Sequence, residues 1–293
     1  MNIIISTIFQ GLLYSVLAIG VYITFRILNF ADMTTEGSFT LGGSVCGIMI
    51  LNGFNPVFSL LIAGISGCFA GLLTGFLNTK LKIQDILSGI LVMIALYSIN
   101  LRIMGKSNIS ILGKNTIFKF LGSSNTSDII FGSIIAFLML FIVCLFFKTQ
   151  IGLAIRASGD NEKMAASLGI NTNLSKIMAL MISGFLCALS GALVVQNQGY
   201  ADVNMGIGVI VIAFASIIIG ETIIKKDSLL IKLFCIVLGS ICYKFIIYLV
   251  LTMGMNPSDL KLFTAAIATT LLAVPNLREK FFTGKGGNKQ CLN

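Results

Sequence analysis

IGLAIRASGDNEKMAASLGINTNLSK, Ile151 to Lys176, is the longest well-populated polar interruption in an otherwise apolar chain, and it lies near the middle. Within it, the spacing predicts a short helix over Asp160 to Leu168 (DNEKMAASL). Gly159 breaks the chain in front, Asp160 caps the N-terminus and Gly169 stops the far end. A two-turn helix held between two membrane spans buries little of its own surface, so it has to dock on something else. The segment therefore reads as a coupling element for a soluble partner. An ordinary solvated loop satisfies the same spacing.

The flanks of this segment decide the fold class. Of 293 residues, 56% are hydrophobic and only 11% charged, where a soluble domain of this size carries about a quarter. The charges fall in short runs between long uncharged ones, which is the pattern of a polytopic membrane protein. About nine apolar segments (eight to ten) are long enough, or nearly so, to cross ~30 Å of hydrocarbon. Their limits lie near 3–25, 38–51, 57–78, 85–103, 128–147, 176–197, 208–224, 229–251 and 259–275. The second, seventh and ninth are short, which points to broken or half-buried helices. The expected fold is an all-α polytopic membrane protein, a single transmembrane domain over residues 1–293. MNIIISTIFQGLL lacks a basic n-region and leads directly into a full-length span, so no cleaved leader is expected.

Placing the 151–176 segment inside the cell puts fourteen of the 20 Lys and Arg at or near the cytoplasmic face, among them Arg26, Lys148, Arg156, Lys176 and Lys232. That division favours an outside N-terminus and a cytoplasmic C-terminus, with the basic tail 276–293 inside. The net charge of +9 is then explained by retained basic residues facing anionic lipid rather than by a nucleic-acid partner. Two stretches look alike. FADMTTEG (Phe30 to Gly37) follows the first segment and YADVNMG (Tyr200 to Gly206) follows the sixth. Segments 1–4 and 6–9 can thus form an inverted repeat around a central fifth, a common plan in transporters.

Several chemistries are excluded. There is no histidine, which removes the commonest metal ligand and the usual proton shuttle. Six of the seven cysteines lie in apolar runs and the number is odd, so a disulfide framework is not expected. No metal, hydrolase or Walker A signature occurs. The chain is not expected to be an enzyme and needs no cofactor of its own; any work must be driven by a partner or an ion gradient.

Ionisable and polar residues near spans are the candidates for function, because they are expensive in lipid. On the fourth segment Asp85, Gly89, Met93, Tyr97 and Asn100 share one helical face, with Ser88 adjacent. This reads as the wall of a substrate path, or else as a helix start at Asp85 and an outer-belt Tyr97. Between the first two segments Asn29, Asp32, Thr34, Thr35, Glu36 and Ser38 cluster in LNFADMTTEGSF. These either cap the second helix or line a break in the membrane. Gly67, Gly71 and Gly75 recur every four residues on the third segment, with Gly64 near the same face, a ridge that lets a neighbouring helix approach closely. Lys244, inside the eighth segment, snorkels outward or pairs with a carboxylate.

The run RASGDNEKMAASLGIN resembles the cytoplasmic coupling loop of permeases from the branched-chain amino acid and ribose class of ABC importers. Arg156, Asp160, Ala165, Leu168, Gly169, Ile170 and Asn171 fill the places of that pattern. TFRILNFADMTTEGSF, IQDILSGILVMIALYSINLRIMGKSNI and NPSDLKLFTA, in that order along the chain, resemble a narrower subgroup of tryptophan- and tyrosine-type import systems. The resemblance covers nearly the whole chain. It implies a second permease subunit, a further copy of this chain in a homodimer or else a partner in a heterodimer, a cytoplasmic ATPase dimer that hydrolyses ATP with Mg, and an extracytoplasmic substrate-binding lipoprotein, all at a bacterial plasma membrane. It implies alternating access for a small solute, an aromatic or branched-chain amino acid. Asp160, Asn161, Glu162, Lys163, Met164, Ala165, Ala166, Leu168 and Gly169, with Arg156, would transmit ATPase closure. Asn29, Asp32, Thr35, Glu36 and the fourth-segment stripe would belong to the path. A transporter or channel driven by an ion gradient without an ATPase is the alternative.

Overall fold

The computed structural model describes residues 2–120, 125–223, 228–252, 262–266 and 269–270. Helix α1 (Asn2–Tyr22) runs on into a π-helical turn, Ile23–Ile27, before an irregular stretch leads to α2 (Thr34–Leu51). Then come α3 (Pro56–Thr79), α4 (Asp85–Met104), the short strand β1 (Asn108–Ser110), one turn of α5 (Ile117–Phe120) and α6 (Asn125–Phe146). The chain continues through α7 (Gln150–Asp160), α8 (Glu162–Ser167), α9 (Thr172–Gln198), β2 (Tyr200–Asp202), α10 (Val209–Ile223) and α11 (Leu229–Thr252). The fold is an all-α polytopic bundle to which one two-stranded antiparallel ribbon is added, Ile109 opposite Ala201.

Among the described residues six helices are long and apolar enough to cross a membrane: Ile4–Ile27, Pro56–Thr79, Asp85–Met104, Ile129–Phe146, Thr172–Gln198 and Leu229–Thr252. The second and seventh expected segments are the two helices that fall short. α10 is simply brief. α2 is buried over most of its length and carries Glu36, Ser38, Thr40 and Ser44, so it faces protein, where polar groups find partners. It also starts at Thr34, four residues before the expected limit of 38. The ninth expected segment, 259–275, lies mostly outside the described residues, and the tail 276–293 lies wholly outside them.

α9 is the central post, packed on α1, α2 and α3. The glycine ridge of α3 faces it. A Cβ on Gly67 would meet the Gly184 carbonyl, one on Gly71 the Leu180 carbonyl, and one on Gly75 the backbone of Ile177. The order of these contacts makes α3 and α9 antiparallel. α1 and α9 are antiparallel as well, since Gly20 meets Cys187 while Ser190 Oγ donates to the Leu13 carbonyl. Exchanging α1 with α9, α2 with α10 and α3 with α11 preserves the packing: α1 lies on α11 as α9 lies on α3, and α2 on α3 as α10 on α11. The two look-alike stretches sit in equivalent places, and each aspartate accepts the amide two residues on. Asp32 Oδ1 takes the Thr34 N–H at 2.8 Å and Asp202 Oδ1 the Asn204 N–H at 2.7 Å.

The mid-chain segment departs from expectation. Gly159 does not break the chain; it lies in the last turn of α7, and its missing side chain is the space into which the Ile27 carbonyl fits. Asp160 ends α7 instead of capping the next helix. The cap is Asn161, whose Oδ1 accepts the Met164 N–H at 3.1 Å. Adding α7 in front of α8 gives the segment its own packing surface: Ile155, Ser158 and Gly152 are buried. Lys244 holds its Nζ 3.5 Å from the centroid of the Tyr14 ring, a cation–π contact.

Candidate functional site

Two places in the fold gather the polar and exposed residues singled out above. The first is a cavity of about 390 Å³ between α2, α4 and the turn that precedes α10. From α2 come Glu36, Gly37 and Thr40; from α4 Met93, Ile94, Tyr97 and Asn100; from the turn Val203, Gly206 and Ile207. The helices approach here because each presents a glycine to a larger residue of the other: a Cβ on Gly37 would lie 2.9 Å from Leu96, and one on Gly89 2.7 Å from the Met33 amide. The 3.6-residue repeat then puts Met93, Tyr97 and Asn100 on the same wall as Glu36.

Glu36 is half-buried and its Oε1 accepts the Gly208 N–H at 2.9 Å, just ahead of α10. A carboxylate on α2 therefore closes the start of α10, where free amides and the helix dipole favour negative charge. Thr40 Oγ1 donates to the Glu36 carbonyl at 3.1 Å. Asn100 is buried; its Nδ2 lies 3.5 Å from the Gly37 carbonyl, and among the described residues its Oδ1 has no partner.

Of the path candidates, Glu36, Met93, Tyr97 and Asn100 line this cavity, and the others do not. Asp32 is buried behind it, on the Thr34 amide. Thr35 Oγ1 donates to the Asp32 carbonyl at 3.3 Å. Ser88 Oγ bonds the Asp85 carbonyl at 2.7 Å, and Asp85 itself sits at the first turn of α4, receiving Asn78 Nδ2 at 2.6 Å. Asn29, with φ of 55°, donates to the Gly159 carbonyl at 2.9 Å and so joins the π-helical turn to α7. The stripe on α4 is thus split, its first turn being a helix start and its later turns a cavity wall. Thr40, Val203 and Ile207 were not among the expected path residues. The likeness of 200–206 to 30–37 marked that stretch without saying which surface it would face.

The second place is α8. Ala165 is 1% exposed and packs inward, whereas Met164 is 61% and Leu168 69% exposed. Glu162 is tied back to Lys176 at 2.8 Å. Asn161, Lys163, Ala166 and Gly169 are exposed, as are Arg156 and Asp160 on α7. On the same side, Arg26 in the π-helical turn pairs with Glu221 at the end of α10, Nε to Oε1 at 2.8 Å and Nη2 to Oε2 at 3.0 Å. The arrangement presents a short helix with an apolar outer edge, braced by α7 and by the turn that follows α1. Among the described residues no group of His, Cys, Asp or Glu is placed to hold a metal ion.

Comparison with known proteins gives a consistent set of likenesses. The family model described as branched-chain amino acid transport system, permease component, matches residues 3–274. A tyrosine transport system permease protein of Clostridioides difficile is 47% identical over 274 residues, 94% of this chain and 92% of that protein. A probable branched-chain amino acid transport permease protein, LivH, of Methanocaldococcus jannaschii is 28% identical, covering 73% of this chain and 72% of its own length. A ribose import permease protein of Bacillus subtilis is 28% identical over 68% of this chain and 62% of its own. No solved structure matches the chain.

Proposed function

This chain belongs to the family of branched-chain amino acid transport system permease components, and from that membership we propose that it is the membrane subunit of an ATP-driven amino acid importer, with an aromatic amino acid such as tyrosine as its substrate. The substrate assignment is supported by the tyrosine transport system permease that is 47% identical over nearly the full length of both chains. The driving reaction, ATP hydrolysis with Mg, belongs to a cytoplasmic ABC ATPase dimer. A second copy of this chain completes the translocation pathway, and an extracytoplasmic lipoprotein delivers the solute. The complex sits in a bacterial plasma membrane with the N-terminus of this chain outside and its C-terminus in the cytoplasm.

The observation that carries the coupling role is the division of α8 into a buried Ala165 and an outward Met164 and Leu168. A six-residue helix with that edge has no reason to keep it bare in water, and a groove on an ATPase would cover it. Closure of the two ATPases would then push α8 and α7, and through the Asn29–Gly159 contact the turn that joins α1 to α2.

The test is reconstitution. The chain, co-expressed with an ATPase and a lipoprotein of this importer class, is placed in liposomes, and tyrosine uptake is measured with and without ATP. Uptake that needs ATP and both partners is expected. Uptake by this chain alone under a Na⁺ or H⁺ gradient would replace the importer reading with a gradient-driven one.

A further inference from the structure

The cavity between α2, α4 and the 203–208 turn is one-sided in charge. Its walls are mostly apolar, with Met93, Ile94, Val203 and Ile207. Of the polar groups, the charged one is a single carboxylate, and Tyr97 adds a hydroxyl that can donate or accept. Glu36 is a carboxylate with about four acceptor positions, of which the Gly208 amide uses one at 2.9 Å and the Ile210 amide another. Asn100 is 1% exposed and among the described residues its Oδ1 has no partner, a state that a buried amide does not hold without cost. Thr40 spends its hydroxyl hydrogen on the Glu36 carbonyl. Among the described residues neither Lys nor Arg lines the cavity. A ligand that brings N–H donors and positive charge gains at Glu36, whereas a carboxylate placed there would meet a like charge. The volume, about 390 Å³, is in the range of small-molecule pockets of roughly 300–1,000 Å³.

We propose that this cavity is an ammonium-recognition subsite, in which Glu36 and Asn100 Oδ1 take the primary ammonium of the solute while Met93, Ile94 and Ile207 take its apolar side chain. The proposal deepens the importer reading and rests on it. The solute's carboxylate points out of the cavity toward the opening flanked by Tyr97. Glu36 has two duties here: one edge of the carboxylate closes α10 and the remaining lone pairs face the solute.

The test uses the purified complex of this chain with its ATPase, without the lipoprotein, and measures equilibrium binding of three probes. L-Tyrosine carries both charged groups, tyramine only the ammonium, and 3-(4-hydroxyphenyl)propionate only the carboxylate. Tyrosine and tyramine are expected to bind, and the propionate at least about tenfold more weakly. Glu36→Gln keeps an oxygen for the Gly208 amide and removes the charge. It should weaken both amines by about ten- to a hundredfold and not weaken the propionate. Asn100→Ala should weaken the amines in the same selective way. Three probes of equal affinity, amine binding indifferent to Glu36→Gln, or no binding by any probe would each overturn the subsite. The probe series on the unaltered complex stands even where a variant fails to assemble. A complex that takes up tyrosine with ATP but gives any of those results keeps the importer reading and loses only this one. Absence of ATP-driven uptake removes the importer reading itself.

Discussion

At the scale of single residues, two glycines of α3 show how the fold depends on the absence of a side chain. Gly71 faces the Leu180 carbonyl of α9, and Gly64 faces the ring of Phe185. Backbone cannot step aside without moving a whole helix, whereas a ring can turn. Gly71→Ala is therefore expected to cost about 1–3 kcal/mol as an overpacked interface, and Gly64→Ala clearly less. Thermal denaturation of the detergent-purified protein checks this: Gly71→Ala should melt several degrees lower, and equal melting of the two variants would contradict the contact. The α3 ridge was readable because i, i+4 spacing is a local signal. Gly159 was not, since its partner is the Ile27 carbonyl, 132 residues away, and nothing near Gly159 announces it. The same limit explains the cap of α8. Asp160 and Asn161 are both good caps by type, and only the extension of α7 through Asp160 decides between them.

At the scale of elements, α8 and α10 enter the proposed function in different ways. Met164→Asp and Leu168→Asp place charge on the outward edge of α8 and touch no buried group, so membrane yield should hold. Co-purification of the ATPase and its stimulation by loaded lipoprotein should fall steeply. Unchanged ATPase binding in both variants would show that α8 is not the docking edge. Bulk at Ala165 is a poorer probe, because a residue that is 1% exposed reports on folding as well as docking. Glu162→Gln loses a half-exposed ion pair with Lys176, worth at most about 1 kcal/mol, and should change docking little. α10 joins the cavity to the end of the bundle that carries α7 and α8: its start is closed by Glu36, and Glu221 near its end is held by Arg26. Its fifteen residues span about 22 Å. Arg26→Glu should lower substrate-stimulated ATP hydrolysis several-fold with little effect on basal hydrolysis, and the exchange Arg26→Glu with Glu221→Arg should restore much of it. Rates that simply add in the double variant would assign the pair no role in coupling. None of this linkage was legible from the chain order, because 195 residues separate Arg26 from Glu221. The stripe on α4 was visible through its period of 3.6, but only the packing of Gly37 and Gly89 shows that Met93, Tyr97 and Asn100 face Glu36 and that Asp85 does not.

At the scale of the whole molecule, the positive-inside reading and the internal exchange symmetry make one joint prediction about orientation. The exchange pairs α1 with α9, and these two run antiparallel; the two halves therefore enter the membrane in opposite senses, as an inverted repeat requires. If α7 and α8 lie in the cytoplasm, α9 runs outward and the β1–β2 ribbon at its far end lies outside, together with Leu112, which is 79% exposed beside that ribbon. Leu112→Cys and Asn161→Cys, each placed in a background from which the native cysteines have been removed, should consequently label from opposite faces. In intact cells a membrane-impermeant maleimide should reach position 112 and spare position 161, and in inside-out vesicles the pattern should reverse. A label at 161 in intact cells would put α8 outside, beyond the reach of any cytoplasmic ATPase. The importer reading would then fail at its first requirement, whatever the cavity binds. The cavity, the braced helix and the basic faces would also have to be reassigned together, since α9 fixes which side of the membrane each one occupies.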